Sequence, residues 1–275
     1  MLGSLIPAIS ARDSFAPSWL KEGAYATYVT NKEGTAGIFN TTDPQYKGLN
    51  CWNANSYDRI SYWNASLTWR CISINDTTAK LQVTFDYVGK ELSHFVGTEM
   101  NRIPLNNESL QLTGETYVDL YTRAVYTSDG TLGTTHLWLP ANPSEGQDMV
   151  VWDVPSETVT LPATVNNVWL ETIQGKQDGF QVGGTVTING KPMNIMMTYD
   201  LDTGLGIDGF FQWDPIMAAI GISDGNLDKF SDTNISLGAK DTSLNWTLIL
   251  QYAILPIAIV LLVVAFVIRR RKKRN

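Results

Sequence analysis

Along Leu81, Val83 and Phe85 apolar side chains alternate with Gln82, Thr84 and Asp86. That period of two belongs to a strand with one face on a core and the other in water. SLTWRCISI (66–74) precedes it across NDT, so the two runs form a hairpin. Further short runs recur every 8 to 12 residues or so: ELSHFVG, SLQLTG, TYVDLYTRAVYT, TTHLWL, DMVVWDV, ETVTLPA, NVWLETI, FQVGGTVTI, MNIMMTYDL and IDGFFQW. WLKEGAYATYVT supplies a strand near the start, and SDG (128–130), NGK (189–191) and DTG (202–204) are turns in which glycine accepts positive φ. Residues 40–64 read as an irregular, aromatic-rich loop. Only PIMAAIGI (215–222), opened by Asp214 and Pro215, predicts a short helix. The pattern is mainly β: a curved antiparallel sheet forming a half-barrel, barrel or sandwich.

The pattern changes at the end of the chain. Trp246 to Ile268 is an almost unbroken apolar run of 23 residues, followed by RRRKKRN. At about 1.5 Å per residue it is long enough for a hydrocarbon core of about 30 Å. It predicts one transmembrane helix, with Trp246 as interfacial anchor and Arg269, Arg270 and Arg271 opening a cytoplasmic tail at 269–275. The β-rich region at 12–225 is then extracellular, carried on a polar stalk at 226–245. Residues 1–11 read as the remnant of a signal peptide. The expected partner of the span is the lipid bilayer.

Charge sharpens this picture. The tail holds six of the 20 basic residues and no acid, leaving 14 basic against 27 acidic residues elsewhere, a net −13. Nucleic acid is not expected as a partner of so acidic a domain. Cys51 and Cys71, the two cysteines, read as one disulfide in an oxidising compartment. Asn-x-Ser/Thr triplets at Asn40, Asn64, Asn75, Asn107 and Asn234 are candidate glycosylation sites, whereas the one at Asn245 abuts the membrane.

PSWLKEGAYATY, TRAVYTSDGTLGTTHLWLPANPSEGQDM and MMTYDLDTGLGIDG resemble landmarks of β-rich, single-pass surface proteins predicted in archaeal genomes. The resemblance spans most of residues 17–213. It implies an antiparallel sheet of the lipoprotein-carrier kind at the cell surface, and brings no activity or site residues with it.

Candidate chemistry is sparse. HExxH and Walker motifs do not occur, and His94 and His136 lack the spacing of a metal pair. No catalytic residue and no cofactor is therefore expected. Asp200, Asp202 and Asp208 put oxygen donors at alternating positions on a glycine-containing turn, as calcium prefers, but Phe211 stands where an EF-type loop needs an acid. The plain reading is a hairpin turn. Trp52, Trp63 and Trp69, with Trp138 and Trp152, are either core or the lining of a ligand face. The balance predicts a non-enzymatic surface protein, binding a glycan, an apolar ligand or another envelope protein. The alternative is an extracellular hydrolase working through two carboxylates.

Overall fold

The computed structural model describes residues 16–30, 32–38, 56–127, 130–154, 157–188, 191–209, 214–222, 227 and 229–238. They form fifteen strands: β1 (Tyr25–Thr30), β2 (Gly34–Ile38), β3 (Ser56–Ile74), β4 (Thr78–Val96), β5 (Glu99–Pro104), β6 (Ser109–Asp119), β7 (Ala124–Thr127), β8 (Gly130–Thr134), β9 (Asp148–Val154), β10 (Glu157–Thr164), β11 (Trp169–Thr172), β12 (Gly175–Ile188), β13 (Lys191–Asp200), β14 (Gly206–Asp208) and β15 (Lys229–Thr233). A single 3-10 helix, Pro215–Ile220, stands between β14 and β15.

Two antiparallel sheets result, and neither closes into a barrel. The larger runs β15-β1-β3-β4-β6-β7-β8, with β2 beside β3 and β5 beside β4; the smaller runs β14-β13-β12-β10-β9, with β11 beside β12. The larger is organised by the β3–β4 hairpin, whose arms are 19 residues each. Asn75 closes its turn, its side-chain oxygen accepting from the Thr77 and Thr78 amides at 2.9 and 2.8 Å. At the turn end β3 pairs with β1 and β4 with β6; at the far end their neighbours are β2 and β5.

Bulges allow one hairpin to serve both ends. On β3, Tyr62 pairs with Gly89 and Ala65 with Tyr87, so Trp63 and Asn64 together face the single residue Val88. The extra residue changes parity: Asp58, Ile60 and Tyr62 point inward before it, and Ala65, Leu67, Trp69 and Cys71 after it. On β4 the partner of Ser61 is Glu91, which leaves Lys90 as the extra residue directly opposite.

One hydrophobic cluster joins the sheets. Tyr28, Leu67, Trp69 and Phe85 from the larger meet Phe180, Val182 and Tyr199 from the smaller in that cluster, all of them essentially without solvent contact. Trp19 lies 6.1 Å from Trp69 and edge-on to Trp138 at 5.9 Å, and the Tyr28 hydroxyl donates to the Gly206 carbonyl at 2.8 Å. The 3-10 helix seats Ile216, Met217 and Ile220 in the same core, capped at its start by Asp214 and at its end by Gly221 at φ 72°.

Several expectations need correction. The irregular region ends earlier than residue 64, because β3 already begins at Ser56. ELSHFVG is not a separate strand but the far end of β4. TYVDLYTRAVYT breaks after Asp119, whose carboxylate accepts from the Tyr121 and Thr122 amides and turns the chain. TTHLWL is strand only through Thr134, apart from a lone bridge between Trp138 and Leu205. Its backbone is satisfied instead by Arg123, whose guanidinium donates to the carbonyls of Thr135 and Trp138. The supposed stalk begins as part of the domain: β15 completes the edge of the larger sheet against β1, and Ile235 and Leu237 are buried beyond it.

Among the described residues no helix is long and apolar enough to cross a membrane. The predicted span at 246–268, Trp246, Arg269, Arg270 and Arg271, and the leader at 1–11 lie outside the described residues.

Candidate functional site

The two bulges meet on the outer face of the larger sheet and build its most distinctive surface. Trp63, pushed outward on β3, keeps 41% of its surface exposed. Its indole N–H donates to the Asn107 side-chain oxygen at 2.7 Å, and the Lys90 ammonium lies 4.4 Å from its ring centroid while also pairing with Glu33. Asn107 reaches this position from the β5–β6 turn, where its φ is 59° and its amide donates to the Gly89 carbonyl. An exposed indole pinned at one end by a hydrogen bond is a rigid platform, which a ligand can cover at little entropic cost.

A groove of about 330 Å³ lies alongside. Its apolar lining includes Val29, Val88 and Leu110; Asn64, Ser66, Ser109 and Gln111 add polar groups. The groove's described lining contains one carboxylate, Asp86, which accepts from Gln111 at 2.6 Å. Farther along the same face Thr27, Thr68, Thr84 and Thr113 stand in register across four strands. Their hydroxyls pair at 2.8 Å (Thr27–Thr68) and 3.4 Å (Thr84–Thr113). Beyond them Arg70 covers the Tyr25 ring at 4.6 Å and Tyr117 stacks on Tyr126. The face thus offers an aromatic platform, a groove of mixed apolar and polar lining and a row of hydroxyls at strand spacing, about 4.8 Å apart.

The other tryptophan candidates are not at this surface. Trp69 is a core residue with no exposure, Trp138 is likewise buried, and Trp52 and the Trp152 side chain lie outside the described residues. Period-two reading could have sorted Trp63 from Trp69 only with the bulge known, since both are odd-numbered residues of one strand.

Comparison with family models, with curated proteins and with solved structures finds no match. Function is therefore read from geometry.

The remaining candidates separate. Cys71 is a buried thiol whose Sγ lies 3.5 Å from the Ser73 carbonyl and whose ionisation burial disfavours; no disulfide occurs among the described residues, and Cys51 is outside them. Asn64 is exposed and Asn75 sits at an open turn. At Asn107 the amide oxygen is held by Trp63, while Asn40 is outside the described residues. Asn234 is already employed in the sheet: its amide nitrogen donates to the Gly23 carbonyl at 3.0 Å and its oxygen accepts from the Tyr25 amide, so a glycan there would cost both bonds. His94 joins the buried Asp58 carboxylate at 2.5 Å across β3 and β4, and His136 lies in the core beside Asp214.

The aspartate turn is split. Asp208 pairs in register with Thr198, away from the turn. Asp200 is fully buried, and one carboxylate oxygen accepts from the Thr203 amide (2.9 Å), the Thr203 hydroxyl (2.6 Å) and the Gly238 amide (3.3 Å). No group of three or more His, Cys, Asp or Glu able to hold a metal occurs among the described residues. Burial raises the Asp200 carboxyl above the usual carboxylate range, outweighing those hydrogen bonds. A group that binds its proton more tightly folded than unfolded contributes stability at acid pH, and that contribution disappears as pH rises through the raised folded value. In chelator-treated buffer, urea midpoints are therefore expected to fall as pH rises from about 4. Asp200→Asn should lack that portion of the slope.

Proposed function

We propose that this chain is a single-pass membrane protein displaying its β-rich domain outside the cell, and that the bulged face around Trp63 binds carbohydrate. The observation that carries the reading is the paired bulge, which exposes a hydrogen-bonded indole beside a groove that combines apolar and polar side chains. Sugars present flat C–H faces that pack on indole and hydroxyl rims that exchange hydrogen bonds with short polar side chains, and the groove and threonine row supply both partners. Binding is favoured over hydrolysis because the described groove lining provides one carboxylate, Asp86, already engaged by Gln111, where glycoside hydrolysis ordinarily uses two. The apolar run at 246–268, its basic flank and the acidic balance of the remainder support the membrane and surface placement.

Titration of the full-length protein in detergent with neutral linear oligosaccharides tests this. Saturable quenching of tryptophan fluorescence is expected, with Trp63→Ala weakening affinity by about tenfold or more. Equal affinity in Trp63→Ala, or no binding at millimolar sugar, rejects the reading.

A further inference from the structure

The turn after β13 carries a second feature, independent of the carbohydrate face. Two carboxylates approach Gly238. Asp200 accepts the Gly238 amide at 3.3 Å, and Asp202 packs so closely on this glycine that a Cβ added to it would lie 2.1 Å from Oδ2 of Asp202. The second oxygen of Asp200 is buried and has no hydrogen-bond partner, although the residue has no solvent exposure. A buried carboxylate oxygen with no donor is costly. A cation within reach of both carboxylates would give that oxygen the partner it lacks.

We propose that Asp200 and Asp202 bind a calcium ion that fastens the exit segment, Ile235 to Gly238, onto the smaller sheet. The donors are carboxylate oxygens, a hard set that suits calcium and offers nothing to a soft metal; backbone carbonyls and water complete six to eight ligands in such sites. Calcium tolerates irregular coordination, which two aspartates on a tight turn require. The segment it fastens is otherwise held by Gln174, whose side chain donates to the Ile235 carbonyl at 2.7 Å and accepts from the Leu237 amide at 3.0 Å. The ion would thus secure the last described stretch of the domain, directly before the chain continues toward residues 246–268. Affinity on the order of 0.1 to 1 mM is expected, the range of extracellular calcium modules.

Trp19 provides an internal probe, because its indole donates to the Thr203 carbonyl at 2.8 Å and so stands on the turn itself. Full-length protein in detergent, stripped with chelator, is titrated with terbium under tryptophan excitation and then with calcium. Saturable terbium emission displaced by calcium is expected, with a Tm rise of about 5 to 10 °C at a hundredfold excess of calcium over Kd. Asp202→Asn alters an exposed residue with an isosteric side chain, so the domain should still fold while terbium and calcium affinities fall at least tenfold. Absence of saturable emission, absence of a calcium-dependent Tm change, or unchanged affinities in Asp202→Asn would each overturn the proposal.

Discussion

Asp214→Ala is expected to lower stability by about 3 to 5 kcal/mol, measured as urea unfolding of the full-length protein. The carboxylate is buried and joins two chain segments, its own helix start and the stretch at Thr135–His136. It accepts from the Thr135 hydroxyl at 2.8 and 3.0 Å, from the His136 amide at 2.8 Å and from the Ile216 amide at 3.0 Å. Alanine would strand each of those donors away from water and remove the cap of the 3-10 helix. The effect spreads further, since Tyr199 donates to the His136 carbonyl and Arg123 holds the carbonyls of Thr135, Trp138 and Val150. Asp214→Asn keeps the shape but turns one acceptor into a donor, and should lose about half as much. Equal stability of wild type and Asp214→Ala would show that the segment from Thr135 to Trp138 is held by packing alone.

Gly114→Ala should be comparably damaging for a steric reason. The 3-10 helix rests directly on β6 at this glycine, and an added Cβ would stand 1.7 Å from the Ala219 carbonyl oxygen and 2.5 Å from its carbon. Both are backbone atoms, so no rotamer change relieves the overlap, and either the helix lifts or β6 bends. A loss of about 3 kcal/mol or more is expected, seen as a Tm lower by about 6 to 12 °C. Solvent exchange should rise at the amides of residues 216–222. Gly97→Ala is the control: nothing lies within 4 Å of its added Cβ, and only the cost of its φ of 60° remains, about 1 kcal/mol.

What the sequence disclosed follows the physics of local pattern. Leu81, Val83 and Phe85 alternate with polar neighbours and lie buried on β4, and Asp214-Pro215 opens the helix at the expected place. The start of β3 was hidden because Tyr57 and Trp63 are large aromatics on the solvent side, which erases the polar half of the alternation. TTHLWL misleads in the opposite way: a buried run ending in Leu-Trp-Leu looks like a strand, yet beyond Thr134 its backbone partners include the side chains of Arg123, Asp214 and Tyr199 and one lone bridge. The last strand, KFSDT, buries only Phe230 and Thr233 and shifts register against β1 near Tyr28, so its pattern resembles a linker. The sequence names Trp63 alongside Trp69, and only the pairing separates them, because the extra residue on β3 leaves Trp63 exposed while Trp69 stays in the core. Nor could spacing reveal that Asp214 closes on Thr135 and His136, 79 and 78 residues away.

The pairing of β1 with β15 bears on biogenesis. Thr27 lies opposite Asp232, and Val29 opposite Lys229, so one edge of the larger sheet is completed by residues some two hundred positions downstream. During synthesis β1 can meet β3 early, but its other edge stays open until nearly the whole domain has left the ribosome or translocation channel. An unpaired edge invites a strand from any neighbouring chain. Loss of residues 229–238 should therefore convert the domain from a self-contained fold into one that associates through β1. Completion of the sheet is then among the last events of the domain's synthesis, and the newborn chain carries an adhesive edge until that moment.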